Sequence, residues 1–465
     1  MNVASGRIDP KFLIALLFLI PFLFFLCQVA IDQGAFFAIA IISSILVGFI
    51  TLIRTDWALV VLVFATLLSP EVAIGVVEKR EVAIRIEDVL LMVISFTWLA
   101  KLAINKELGF IRETPLNGAI KIYVGICVIA TLVGVLRGFV SPYKGTFFLL
   151  KYLEYFILYF LVINNIHKQE QIKLLLGSFF AVCLVISLYG LSQIGTVDRL
   201  SAPFEGEGGE PNTFGGYLLF LFSLSLGLFL YAKGIQRKLC FGGLAVLTCV
   251  VLLLTLSRGS YLGFVFAGLI FFLLTQYGRS YLLFGMLCLA VVILLFPGSI
   301  QNRILYTFSI WNPEIASHTV KVFNVALDPS SSARISSWGA AMKHWISSPF
   351  IGRGIGGSGL IDSQFFTCLV ETGFLGALVF TFLLWQIGKM AYGAFRGEED
   401  RLYQGLFLGY FAGFIGLLFH ALTANTFILI RVMEPFWFMT GVIVALPKVR
   451  LEEAKIISAK PETGT

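Results

Sequence analysis

Residues Leu239–Leu274 read LCFGGLAVLTCVVLLLTLSRGSYLGFVFAGLIFFLL, 36 residues with a single charge at Arg258. As one α-helix this stretch would be about 54 Å long at the usual rise per residue. The hydrocarbon core of a bilayer is only about 30 Å thick, so one helix of this length does not fit. The chain therefore crosses, turns near Arg258-Gly259, and crosses back. The same ruler, about 20 apolar residues per crossing, gives about fourteen spans along the chain. They start near residues 12, 34, 57, 88, 119, 147, 171, 212, 239, 260, 281, 363, 402 and 427.

Composition supports this. Of the 465 residues, 58% are apolar and 13% charged, with a mean hydropathy of +0.91. Soluble domains carry about 25% charged residues, so this chain cannot coat soluble cores of its length. Disorder is excluded by the high hydrophobicity. The 46 Phe and 45 Gly suit a membrane bundle that combines aromatic bulk with close helix approach. The expected fold is an all-α polytopic membrane protein of about 12–14 transmembrane helices.

The net charge of +7 is better explained by orientation than by nucleic acid, because the basic residues lie between apolar runs and form no single face. Most of the 34 Lys and Arg fall on one set of alternate connections, which makes both termini cytoplasmic. Arg7 and Lys11 precede a first span with no small-residue cleavage site behind it, so it reads as a helix and not a signal peptide. The seven cysteines sit in apolar stretches without a CxxC pair, and imply neither disulfides nor a metal cluster. Cytoplasmic connections are short. The other face carries Glu71–Asp88, Ser192–Pro211 and a long segment near residues 298–362, so function is expected there. Residues 1–447 then form one bundle with loop 298–362 as its active-site element, and 448–465 a cytoplasmic tail.

That loop has internal organisation. After Asp328-Pro329, residues Ile335, Trp338, Met342, Trp345 and Ile346 recur at helical spacing, which predicts an amphipathic helix lying on the outer leaflet with its tryptophans at headgroup depth. Arg334 in its first turn opposes the helix dipole, so it is no cap; it meets either a lipid phosphate or a substrate phosphate. The run IGRGIGGSG (351–359) lacks the strand and Lys-Ser/Thr of an ATP loop, but its amides and Arg353 suit an anion nest. Arg258 is a charge near the membrane and a functional candidate by default. Arginine suits a diphosphate because its planar fork donates two parallel hydrogen bonds and stays charged. Arg431 with Glu434, and Lys151 with Glu154, are spaced as structural ion pairs, and His420 as an interhelical hydrogen bonder. Glu205, Glu207 and Glu210 read as a solvated loop. No metal site is indicated.

Four features together resemble the O-antigen polymerase and O-antigen ligase superfamily of bacterial membrane glycosyltransferases. They are Pro211-Asn212-Thr-Phe-Gly-Gly-Tyr opening one span and Leu256-Ser-Arg-Gly-Ser opening another. The third is Arg334…Trp338…Pro349-Phe-Ile-Gly-Arg353-Gly354-Ile-Gly356 in the long loop. The fourth is Asp362-Ser-Gln-Phe-Phe-Thr-Cys-Leu-Val-Glu371-Thr-Gly-Phe-Leu-Gly376 at the next span. The resemblance covers about residues 210–380. It implies a C-type glycosyltransferase fold and an undecaprenyl-pyrophosphate-linked glycan as donor and acceptor; no cofactor or metal is expected, since the arginines can supply the charge. It further implies a place in the bacterial inner membrane with the site facing the periplasm. Ligases of the family carry His-Asn where this chain has Asp362-Ser363, which favours the polymerase branch over transfer to lipid A-core or protein.

On this reading Arg258 and Arg334, supported by Arg353, bind the pyrophosphate. Asp362 is the first candidate for the base and Glu371 the second. Asn212, Trp338, Gly354 and Gly356 contact substrate. Membrane lipid and a chain-length regulator are expected partners, and nucleic acid is not. A transporter or flippase would show internal symmetry, which the chain lacks. A metal-dependent polyprenyl-phosphate sugar transferase would want an acidic pair in the first outer loop, for which Glu87-Asp88 is an imperfect candidate.

Overall fold

The structure, a computed structural model, describes residues 35–69, 71–77, 80–105, 112–203, 210–295, 321–322, 325–326, 329–359 and 361–458. The expected span near residue 12, Glu205, Glu207, Asp328 and most of the segment 296–328 lie outside the described residues. The helices are α1 (Ala35–Ile53), α2 (Thr55–Leu68), α3 (Ile86–Asn105), α4 (Asn117–Leu136), α5 (Pro142–Asn165), α6 (Gln169–Ser192), α7 (Pro211–Tyr231) and α8 (Ile235–Leu254). After them come α9 (Arg258–Leu274), α10 (Arg279–Leu295), α11 (Pro329–Ile346), α12 (Gln364–Gly397), α13 (Arg401–His420) and α14 (Ile430–Ser458).

Among the described residues, eight helices are long and apolar enough to cross a membrane: α4 to α8 and α12 to α14. Three shorter apolar helical segments accompany them at Ile42–Ile53, Thr55–Thr66 and Arg258–Leu274. The protein is thus an all-α polytopic bundle. An antiparallel hairpin, β1 (Glu71–Val77) with β2 (Arg80–Arg85), is a strand element that the sequence did not suggest, and it stands in a connection, not in the bundle.

The break in the opening stretch falls at Thr255-Leu256-Ser257, slightly before the expected Arg258-Gly259. Ser257 caps α9, its hydroxyl oxygen accepting from the Ser260 N–H at 3.4 Å. Two further boundaries differ from expectation. α12 is not one straight helix, because Gly373 (φ 68°, ψ −171°) separates a short segment 364–372 from a long one 374–397. α14 continues through Pro447 to Ser458, so residues 448–458 of the expected tail are helical.

α7 is the central helix, buried on nearly every side and packed against α8, α9, α13 and α14. In lipid there is little hydrophobic gain in joining helices, so close backbone approach and interlocking shape hold them together. Gly227 of α7 provides that approach, since a Cβ there would stand 2.3 Å from the Gly405 carbonyl oxygen and 2.8 Å from the Gly409 Cα of α13. Aromatic rings fill the other side of the seam. Phe436 of α14 stacks on Tyr410 of α13 with ring centroids 5.6 Å apart and packs at 60° against Phe220 of α7.

Replacing Gly227 with Leu should force α7 and α13 apart. The expected result is a drop of several degrees in the detergent melting temperature, or loss of the monodisperse peak, with Gly243→Leu on the open side of α8 as a neutral control.

Candidate functional site

Two of the four sequence features meet at the starts of α7 and α9. The Ser257 hydroxyl donates to Asn212 Oδ1 at 2.9 Å, and the Ser260 hydroxyl donates to Ser257 Oγ at 2.9 Å. Gly215 allows this closeness, because a Cβ on it would sit 2.2 Å from Ser260 Oγ. Arg258, the first residue of α9, is half-buried beside this chain of hydroxyls.

The other two features meet at α11 and the start of α12. Trp338 Nε1–H donates to the Asp362 carbonyl at 2.8 Å, and its ring stacks on Phe366 at 5.3 Å. Arg334 Nε lies 3.9 Å from Asp362 Oδ2, with the arginine side chain largely covered and the aspartate 66% exposed. That exposure leaves the Asp362 carboxylate accessible to a bound substrate. The helix α11 forms as expected, and its tryptophans make contacts within the protein. Trp338 packs on α12, and Trp345 packs with Ala341, Ile361 and Val370 while donating to the Pro349 carbonyl at 2.9 Å.

The glycine-rich loop is bound to the break in α12. The Val370 and Glu371 carbonyls accept from Arg353 N–H and Gly354 N–H, both at 2.9 Å. The Phe374 and Leu375 amides donate to the Pro349 and Phe350 carbonyls at 2.8 and 3.2 Å. A Cβ on Gly373 would fall 2.4 Å from the Phe350 carbonyl carbon, and one on Gly352 would fall 2.5 Å from the Glu371 carbonyl carbon. Both positions also have positive φ, so glycine is required twice over.

Glu371 completes the attachment. It is 3% exposed, and Oε1 accepts from Gly356 N–H at 2.9 Å and from the Ser358 hydroxyl at 2.8 Å, while Oε2 accepts from the Tyr152 hydroxyl at 3.0 Å. The Gly354 and Gly356 amides, expected to form an anion nest, are therefore engaged by Glu371 and closed to a phosphate. Glu371 itself has three donors on its carboxylate, unlike the open Asp362.

Around the end of α13 the two halves of the site join. Gln364 N–H donates to the Ala421 carbonyl at 3.1 Å, and Asn425 Nδ2 donates to the Ile361 carbonyl at 2.7 Å. Thr367 donates to Asn425 Oδ1 at 2.9 Å. His420 is fully buried between α7 and α9; a Cβ on Gly216 would stand 3.1 Å from its ring and one on Gly259 3.3 Å. Its Nδ1 pairs with the Thr426 hydroxyl at 2.7 Å, while Nε2 is buried without a hydrogen-bond partner. His420 therefore packs between α7 and the Arg258 helix, a placement that its lone position on an apolar helix did not reveal.

Arg353 is placed differently. Its guanidinium sits 4.8 Å over the Phe139 ring in the turn between α4 and α5. Burial and the Arg353 charge push the nearby His344 imidazole below its ordinary range. The structure thus brings Arg334 to Asp362, but gives Arg353 to Phe139.

Of the expected ion pairs, Lys151 contacts Glu154 at 3.2 Å and also pairs with Asp88. Asp88 is thereby engaged by a lysine, which leaves Glu87-Asp88 poorly suited to a metal. Arg431 and Glu434 do not pair: Arg431 donates to the Pro203 carbonyl at 2.9 Å, and both Glu434 carboxylate oxygens are buried without a hydrogen-bond partner.

Fold and geometry together define a polytopic helical membrane protein with a polar site at one end, assembled from the starts of α7, α9 and α12, the end of α13, and α11. Residues 243–381 match the protein family described as O-Antigen ligase, which supports the superfamily that the sequence resembles. No curated protein matches the chain. The family indicates an O-antigen ligase- or polymerase-type activity, glycosyltransferase-like, on lipid-linked glycans in a membrane.

Glu371→Ala would strand the Gly356 amide and the Ser358 and Tyr152 hydroxyls. A destabilisation of roughly 2–4 kcal/mol is expected, read as lower thermal stability and faster proteolysis within 351–359. Glu371→Gln, which keeps one acceptor oxygen for Gly356 and Ser358 and can turn its amide N–H to the Tyr152 hydroxyl oxygen, should recover part of it.

Proposed function

We propose that this chain polymerises undecaprenyl-pyrophosphate-linked oligosaccharide repeat units into O-antigen or a related surface polysaccharide. It works on the outer face of the bacterial inner membrane, with both termini cytoplasmic. The observation that carries this reading is the approach of Arg334 to Asp362, next to a segment that the end of α13 joins to the Arg258 helix.

The chemistry needs three things: charge for a leaving pyrophosphate, a base for the acceptor hydroxyl, and a place for the lipid-linked head. Arg258 and Arg334 supply fixed positive charge where negative charge develops, which is the largest contribution a polar site makes. The acceptor hydroxyl oxygen attacks the anomeric carbon, and the bond from that carbon to the pyrophosphate oxygen breaks. Its electron pair leaves with undecaprenyl pyrophosphate. The hydroxyl proton passes to Asp362, whose exposed carboxylate is open to an incoming sugar. Direct displacement inverts the anomeric centre. Asn212 and Trp338 stand at the site's edges, where they orient the glycan. Two guanidinium groups provide the charge that a metal ion supplies in other transferases, so the reaction proceeds in chelator. Glu371 serves to hold the glycine loop, and Arg353 lies at the site's periphery. A chain-length regulator is the expected protein partner.

Purified protein in nanodiscs, given a lipid-linked oligosaccharide with and without chelator, should yield a ladder of longer lipid-linked glycans in both cases. A single transfer to a different acceptor would instead favour the ligase reaction. Arg258→Ala and Arg334→Ala should each lower turnover by about 100-fold or more with the melting temperature unchanged. Asp362→Asn at full rate would remove it as base.

A further inference from the structure

The turn that carries Arg258 is an unusual piece of backbone. Leu256 is the one non-glycine residue with positive φ among the described residues, at 52°. A leucine has no side-chain hydrogen bond with which to stabilise that conformation, so its surroundings must hold it. The Thr255 and Leu256 carbonyls of this turn also lie beyond the last residue of α8, outside its helical ladder.

Arg199 meets both needs. Its Nε–H donates to the Thr255 carbonyl at 3.2 Å, and an Nη2–H donates to the Leu256 carbonyl at 3.4 Å. The next residue adds a third tie, Leu200 N–H to the Leu254 carbonyl at 3.5 Å. A cation at a helix C-terminus is also favourably placed against the helix dipole.

Arg199 belongs to the connection between α6 and α7, which is itself pinned. Gln193 and Ser201 exchange two hydrogen bonds, Nε2 to the Ser201 carbonyl at 2.7 Å and Ser201 N–H to Oε1 at 3.1 Å. Arg431 holds the Pro203 carbonyl of the same connection at 2.9 Å. The segment just before Arg258 is thus fixed from this strap, and Ser257 immediately before it is fixed from Asn212.

We propose that Arg199 is a positioning residue for the transfer reaction: it locks the left-handed Leu256 turn so that Arg258 meets the substrate pyrophosphate in one fixed orientation. This rests on Arg258 being a pyrophosphate-binding residue. Arg199 acts through Arg258 and not on the substrate, so its effect depends on Arg258 being present.

The test is a double-mutant cycle on the full-length protein in nanodiscs, with an undecaprenyl-pyrophosphate-linked oligosaccharide as substrate. In the wild-type background, Arg199→Gln should lower kcat/KM by about tenfold or more while the melting temperature stays nearly constant. Arg199→Lys, which still donates to carbonyls, should lose less. In an Arg258→Lys background with residual activity, Arg199→Gln should add less than about a threefold further loss. An unchanged rate in Arg199→Gln overturns the proposal, as does the same fold-loss in both backgrounds, which would mean that Arg199 acts independently of Arg258. If Arg199→Gln does not fold, Arg199→Lys is carried through the same cycle. A fully active Arg258→Ala variant would defeat the pyrophosphate reading itself, whereas an inactive Arg258→Ala with an undisturbed Arg199→Gln defeats only this inference.

Discussion

A helix interrupted inside a membrane bundle exposes amides and carbonyls that hydrocarbon cannot satisfy, and each must find a partner within the protein. In this chain the interruption is at Gly373, and its partners come from residues 349–354. Four backbone hydrogen bonds join the two segments, and neither Gly373 nor Gly352 has space for a side chain. The rest of the site follows from this attachment. The short helical segment 364–372 is held against the loop, Asp362 precedes it, and α11 packs back onto it through Trp338 and Trp345. Arg334 reaches Asp362 only because both ends of this unit are anchored.

The polar residues of the site divide by exposure into two kinds of task. Glu371, buried and accepting from three donors, holds structure. Asp362, two-thirds exposed and only loosely approached by Arg334, is available for chemistry. Ser257, Asn212 and Arg199 each bind a neighbouring group of the protein, and their joint effect is to fix where Arg258 begins its helix. A site that stabilises a departing pyrophosphate needs charges that do not reorganise as the bond breaks, and such supports provide that rigidity.

Much of the fold was legible because hydropathy reports it directly. The excess length of Leu239–Leu274 located a turn to within a few residues, and the periodicity of Ile335, Trp338, Met342 and Trp345 located α11. The four sequence features that carried the resemblance do come together at one end of the bundle. Other aspects were not legible, for identifiable reasons. Amphipathic spacing does not say which groups Trp338 meets, because Asp362 and Phe366 come from the following element. Gly373 in an apolar run looks like any packing glycine, since the pairing that requires it lies about 20 residues upstream. Glu371 looked like a possible base because its donors, Tyr152 and Gly356, come from other parts of the chain. The spacing of Arg431 and Glu434 suggested a pair, but Arg431 turns to a carbonyl from a different connection. Arg353, next to the required Gly352, groups with the other arginines by its loop and is separated from them by its contact with Phe139.

The central claim is that Arg258 and Arg334 hold one pyrophosphate with its sugar directed at Asp362. A cryo-electron microscopy structure in nanodiscs with a non-reacting phosphonate analogue of the lipid-linked donor tests it most directly. The account predicts phosphate density bridging the two guanidinium groups, with the anomeric carbon on the Asp362 side near Trp338. Phosphate density seated instead on Arg353 at the α4–α5 turn, with Arg258 and Arg334 unengaged, would contradict it.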